Sequence, residues 1–211
     1  MIRSTLAILL TLSATLLQAQ RNPLSTPETF PSTGGTQELT VTVPANVGWK
    51  VSTRPSISTS ETRPPFFQLG EVTSGKGNGT VKLIVPPNTE MSGRVAPLSI
   101  EVMPPADGNG NASVYITSVN VKQLAFTVSP ASLNFQTGGG TQTVTLTADG
   151  DWQVTEATNY LTVTPRSGRA GTSLSITCPP FPSALMVRFR AASVTVSNGP
   201  VSRTIAIRQS R

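Results

Sequence analysis

Gly138-Gly139-Gly140-Thr141-Gln142-Thr143-Val144-Thr145-Leu146-Thr147-Ala148-Asp149-Gly150-Asp151-Trp152 is the stretch that decides how this chain folds. Val144, Leu146 and Ala148 fall on one face and Thr143, Thr145 and Thr147 on the other, the period of two that marks a half-buried strand. Asp149-Gly150-Asp151 then supplies a turn, and Trp152 with Val154 resumes the inward row. The same wording stands earlier in the chain. Thr33-Gly34-Gly35-Thr36-Gln37 leads through Leu39-Thr40-Val41-Thr42-Val43 to Trp49 and Val51.

Working outward, each Trp is followed by a Ser-Gly pair (Ser74-Gly75, Ser167-Gly168), then an Arg (Arg94, Arg190), then a terminal strand ending in Gln (Gln123, Gln209). A repeat of about a hundred residues is too long for a solenoid unit and has the size of a small domain. Between Trp and Ser-Gly the first copy is longer, 25 residues against 15, because residues 55–65 form an insertion rich in Ser, Thr and Pro. Further rows alternate at Val81-Lys82-Leu83-Ile84-Val85, at Leu98, Ile100 and Val102, and at Leu174-Ser175-Ile176-Thr177-Cys178. Val194 and Val196 match Ile205 and Ile207 across Ser197-Asn198-Gly199-Pro200, where Asn198-Gly199 is a hairpin signal. No helical period follows the N-terminal leader. The expectation is an all-β chain of two tandem immunoglobulin-like β-sandwich domains, residues 20–123 and 124–211, with about seven strands each. The junction near Gln123-Leu124 is short and unlike a flexible tether.

Residues 1–19 have the layout of a secretory signal peptide: Arg3, an apolar run from Leu6 to Leu17, and Ala19 before the expected cleavage site. The run is too short to span a bilayer, and no later transmembrane segment is expected. An exported product, periplasmic, surface-bound or extracellular, follows. Cys178 is the only cysteine, so no intramolecular disulfide can form, and its place in an inward row reads as a buried thiol. The chain has no histidine, which removes the commonest general base, the commonest metal ligand and every Ser-His or Cys-His nucleophile pair.

The order of these features resembles that of BACON (Bacteroidetes-associated carbohydrate-binding often N-terminal) domains. The resemblance is carried by Phe-x-x-x-Gly-Gly (Phe30 to Gly35, Phe135 to Gly140), the Trp, Pro165-Arg166-Ser167-Gly168, Arg190-Ala191-Ala192 and the closing Ile207-Arg208-Gln209. It is closer in the second copy, along Phe126 to Gln209, than in the first. The second Trp usual in the family is replaced by Tyr160 or Leu161, and in the first copy by Phe66 or Phe67. What the resemblance implies is a non-catalytic module on an exported protein, with carbohydrate or mucin association or a spacer role.

Among candidate contacts, Trp49 and Trp152 read as core anchors, with sugar-stacking platforms as the alternative. Phe66-Phe67 ends the insertion, where two adjacent aromatics cannot both face the core of one strand, so at least one is expected to be exposed, either to meet a ligand or partner or in a loop that folds over the sandwich edge. Tyr160 and Tyr115 are weaker candidates of the same kind. Residues 124–211 hold seven arginines (Arg166, Arg169, Arg188, Arg190, Arg203, Arg208, Arg211) against Asp149, Asp151 and Glu156. Arg188 and Arg190 would share a strand face if that segment is extended, a patch for acidic polysaccharide or lipopolysaccharide, with solvated outer faces that confer solubility as the alternative. Nucleic acid is a poor fit, since aromatics do not interleave the arginines. Asp107-Gly108-Asn109-Gly110-Asn111 opens like a calcium loop but has Ala112 and Ser118 where that loop needs Gly and Glu, so it reads as a hairpin loop. No pair of carboxylates is nominated for glycoside hydrolysis. No catalytic residue, cofactor or metal is expected. The competing expectation is a structural subunit of a surface assembly, held by contacts with another exported protein, with the Pro-rich residues 21–32 donated as a strand.

Overall fold

A computed structural model describes residues 22–53 and 65–211. The leader at 1–19 lies outside these residues, and so does the insertion at 55–65 except for Pro65. The described chain is all-β, and among its residues no helix is long and apolar enough to cross a membrane. It divides into two compact units, each an immunoglobulin-like β-sandwich. Residues 22–29, 35–86 and 95–122 group in the first, and residues 30–34, 87–94 and 123–211 in the second.

Seven strands open the chain: β1 (Gly35–Val41), β2 (Gly48–Ser52), β3 (Gln68–Leu69), β4 (Ser74–Lys76), β5 (Gly79–Val85), β6 (Arg94–Met103) and β7 (Tyr115–Gln123). They form two sheets, ordered β1-β5-β3 and β4-β2-β6-β7. Alternation does the sorting. Leu39 and Val41 of β1 and Val81, Leu83 and Val85 of β5 are buried, while the threonines and lysine between them face solvent. Trp49 and Val51 of β2 and Leu98, Ile100 and Val102 of β6 supply the facing rows. The Pro-rich stretch is part of this packing. Leu24 bridges Val41 and is only 2% exposed, and the Ser25 amide donates to the Thr40 carbonyl. Phe30 and Ser32, which group with the second unit, are buried as well. These residues are therefore not a free strand for a neighbour.

The remaining strands are β8 (Thr127–Ser129), β9 (Ser132–Phe135), β10 (Gly140–Thr147), β11 (Trp152–Ala157), β12 (Thr162–Thr164), β13 (Ser167–Gly168), β14 (Ser173–Cys178), β15 (Phe189–Asn198) and β16 (Val201–Ser210). Their sheets run β12-β14-β10-β8 and β13-β11-β15-β16-β9. One buried cluster joins both, with Val144, Leu146, Leu174 and Ile176 from the first and Trp152, Val194, Val196 and Ile205 from the second. The β15–β16 hairpin forms as the Val/Ile rows demand, with Val194 opposite Ile205. Its loop is shifted by one residue from the Asn198-Gly199 expectation. Asn198 pairs with Val201 and is buried, so Gly199 (φ +54) and Pro200 make the turn.

Candidate functional site

The two tryptophans are built the same way. Trp49 is 2% exposed, and its Nε1–H donates to the Gly77 carbonyl at 2.8 Å. Trp152 is also 2% exposed and donates to the Arg169 carbonyl at 3.0 Å. The glycine of each Ser-Gly pair packs against the ring: a Cβ on Gly75 would sit 2.6 Å from Cζ2 of Trp49, and one on Gly168 would sit 2.7 Å from Cζ2 of Trp152. Glycine is required there because backbone must touch indole. Both rings are core anchors, and neither presents a face to a sugar.

Of the aromatic pair, Phe67 is buried to 2% and meets Phe66 edge to face at 5.5 Å. Phe67 is thus corrected from ligand contact to core residue, because the chain entering β3 turns it inward as it turns Leu161 in the other copy. Phe66 is half-buried.

Arg190 was expected on an open basic patch, and the structure corrects that as well. Its Nε–H donates to Gln209 Oε1 at 2.7 Å and its Nη2 to the Pro179 carbonyl at 3.2 Å. The guanidinium lies 3.9 Å from the Tyr160 ring centroid, closing one face of that ring, while the Tyr160 hydroxyl donates to the Ala191 carbonyl. Gln209 in turn donates to the carbonyls of Gln136 and Pro179. Cys178 completes the cluster, its thiol donating to Gln209 Oε1 at 3.3 Å, and burial pushes that thiol above its ordinary pKa. Burial also raises the Tyr160 hydroxyl, with Arg190 pulling partly the other way. Arg94 and Gln123 repeat the arrangement: Arg94 Nε donates to Gln123 Oε1 at 2.8 Å, and Gln123 Nε2 to the Pro31 carbonyl. The repeated Arg and Gln therefore hold strand ends together.

Arg188 is exposed in the bend before β15 and does not share a strand face with Arg190. Arg203 donates to the Phe126 carbonyl at 2.7 Å, and burial lowers its pKa. Asp107 accepts from the amides of Asn111 and Asn109, which hold its pKa low as in a local turn.

Two surfaces escaped the sequence reading. One is a cleft of about 480 Å³ in the second unit, lined by Asp151, Gln153, Ser167, Arg169 and Ser197 above the edge of Trp152. Asp151 and Arg169 pair across it at 3.3 Å while staying open to water. The other is the loop from β14 to β15, where Leu185, Met186 and Val187 are exposed. Neither follows a period, so only the three-dimensional arrangement exposes them.

The matched family falls on the unit that holds both surfaces. Residues 125–209 match the viral BACON domain. The match ends at Gln209, the residue that closes the Arg190 cluster. No curated protein matches the sequence significantly. Among solved structures, a Bacteroides ovatus GH5 xyloglucanase in complex with a XXXG heptasaccharide is similar over 41% of this chain at 21% identity and TM-score 0.37. The chain spans only 19% of that enzyme's length. The D00-D0 domain of Intimin is similar over 87% of this chain and 95% of its own, at 14% identity and TM-score 0.42. A protein of unknown function from Porphyromonas gingivalis W83 is similar over 90% of this chain and 100% of its own, at 17% identity and TM-score 0.32. Likeness at this level carries no argument about activity.

Proposed function

We propose a non-catalytic, exported binding or spacer module made of two copies of one BACON-like domain, residues 20–123 and 124–211, which takes carbohydrate in its second copy. The observation that carries the reading is the cleft beside Trp152. It is a shallow groove open to solvent, where the exposed side chains of Gln153 and Ser167 lie beside the Asp151–Arg169 pair. Amide, hydroxyl and paired charges are the groups that bind sugar hydroxyls, and the guanidinium of Arg169 suits an acidic polysaccharide or a sialylated mucin. The viral BACON match over residues 125–209 supports a binding module in this half. The repeated Trp, Gly, Arg and Gln support the lack of catalysis, since each is occupied with packing or with internal hydrogen bonds.

Titration calorimetry of the chain against mucin glycans and acidic polysaccharides is expected to give binding that Gln153→Ala and Arg169→Ala weaken. Affinity no tighter than millimolar, about −4 kcal/mol, for every glycan tested would overturn the carbohydrate reading.

A second reading, a structural subunit held by protein contacts, is favoured by β7. It is the last strand of its sheet, and Tyr115 and Ile116 are exposed at its start, before the Ser118 carbonyl that Asn22 takes and the bridge from Gln123 to Phe30. An edge of that kind accepts an added strand. Light scattering of the eluting chain separates the two readings, since a strictly monomeric species at high concentration removes self-assembly.

A further inference from the structure

The loop between β14 and β15, residues 179–188, projects apolar side chains although its stem is firmly tied. Phe181 is buried, and its amide donates to the Thr137 carbonyl at 2.7 Å. The Leu185 amide closes a turn onto the Pro182 carbonyl at 3.1 Å. On the other side Arg211 donates from Nη1 to the Leu185 carbonyl and from its backbone amide to the Arg188 carbonyl. A loop held at both sides could fold its apolar residues inward. This one leaves Met186 95% exposed, flanked by Leu185 at 40% and Val187 at 50%, with Phe189 at 51% where β15 begins.

Positive charge gathers at the same place. Arg188 lies within the tip, Arg211 holds its back, and the guanidinium of Arg208 covers the Phe189 ring at 4.4 Å. The acids of residues 124–211 lie elsewhere along the sheet. Asp149 and Asp151 belong to the turn before β11, and Glu156 pairs with Thr195, six residues along β15 from Phe189. At about 3.3 Å per residue, that separates Glu156 from the tip by roughly 20 Å. The tip is therefore cationic and apolar at once.

We propose that this tip docks on an anionic phospholipid surface, with Leu185, Met186 and Val187 entering the acyl boundary and Arg188, Arg208 and Arg211 meeting the phosphates. The shape favours lipid over a sugar or a protein pocket. Single aliphatic chains on a convex loop need no complementary cavity when the partner is fluid, and the one aromatic ring is already covered by Arg208. Arginine stems run along apolar surface while the guanidinium stays at the headgroups. The proposal is independent of the glycan cleft, so either can fail alone.

The test is co-sedimentation of the full chain with vesicles of phosphatidylcholine alone and of phosphatidylcholine mixed equally with phosphatidylglycerol. The double variant Met186→Asp, Val187→Asp and the pair Arg188→Gln, Arg208→Gln are compared with the parent, all sharing one N-terminus. All four side chains are exposed, and circular dichroism checks that each variant is folded. Expected is preferential pelleting with the anionic vesicles, weakened about tenfold by the aspartates and several-fold by the glutamines or by raised salt. Parent protein left in the supernatant would overturn the proposal. So would aspartate variants that bind like the parent, or a vesicle-free dimer that the aspartates abolish, which would assign the tip to a second copy.

Discussion

Trp49 and Trp152 occupy corresponding register positions in the two units, yet they are closed in by different means. Trp49 is gripped by two glycines: a Cβ on Gly75 would lie 2.6 Å from its Cζ2 and one on Gly79 only 2.4 Å. Around Trp152 only Gly168 comes as close. The register explains the difference. Gly79 pairs with Val41, whereas the carbonyl facing the corresponding Leu146 belongs to Thr172, whose hydroxyl donates to the Arg169 carbonyl. One copy lays bare backbone on the indole, and the other spends a side chain tying down the carbonyl that the indole also uses. Trp152 further borders the open cleft. Both anchors stay equally buried, at 2% exposed, while the edge of Trp152 also lines the cleft of the second unit.

The largest effect expected follows from removing each ring. Trp49→Ala and Trp152→Ala each delete a fully buried indole, a loss of about 3–5 kcal/mol. Trp49→Ala belongs at the upper end, because its void is walled by backbone and cannot collapse. The gap left by Trp152 opens toward the cleft, where water can fill it and satisfy the Arg169 carbonyl. Urea unfolding followed by circular dichroism measures both. A Trp152→Ala cost equal to or above that of Trp49→Ala would show that the cleft does not relieve the cavity.

Smaller effects are expected at the glycines. Gly79→Ala and Gly168→Ala each press a methyl against an immobile ring, at a cost of about 1–3 kcal/mol, with Gly79 the worse of the two. Gly138→Ala meets nothing within 4 Å and should change stability by less than about 0.5 kcal/mol. Thermal midpoints rank the three. A Gly138 variant as damaging as Gly168 would mean that overlap with the indole is not what fixes these positions.

Much of this architecture was legible in the sequence, because burial on a strand follows a period of two. Leu39, Val81, Val144 and Cys178 could each be placed by alternation alone, and the inward Val after each Trp identified the rings as core. Legibility ended where the period ended. Nothing local distinguishes Phe66 from Phe67, since the choice depends on how the chain enters β3. Arg190 looked like free charge because its partners, Tyr160, Pro179 and Gln209, are distant in sequence or lie on another strand. The hairpin turn fell one residue late because the buried side chain of Asn198 keeps that residue in the ladder. The cleft and the 179–188 tip are products of loop placement, which carries no periodic signature.

Cys178 gives the subtlest way to sharpen the comparison. It pairs with Gly140 across β10–β14, the register position that Val85 holds opposite Gly35 in the first copy. The first unit therefore supplies a well-matched replacement, Cys178→Val, which keeps an apolar side chain of similar size and removes the titration. Burial raises the folded thiol's pKa above its unfolded value. A raised acid favours the folded state fully at pH below the unfolded pKa. That contribution is lost as pH climbs from there through the folded pKa, because the unfolded chain releases its proton first. Parent and variant unfolded in parallel from neutral to alkaline pH should show a stability difference that is flat near neutrality and then moves against the parent. Iodoacetamide should label the native thiol slowly and the unfolded one readily, as a buried neutral thiol requires. A difference that stays level across the thiol range, together with rapid native labelling, would mean that the Gln209–Arg190 cluster opens often enough to admit water, and that the second copy is looser here than the valine-sealed first.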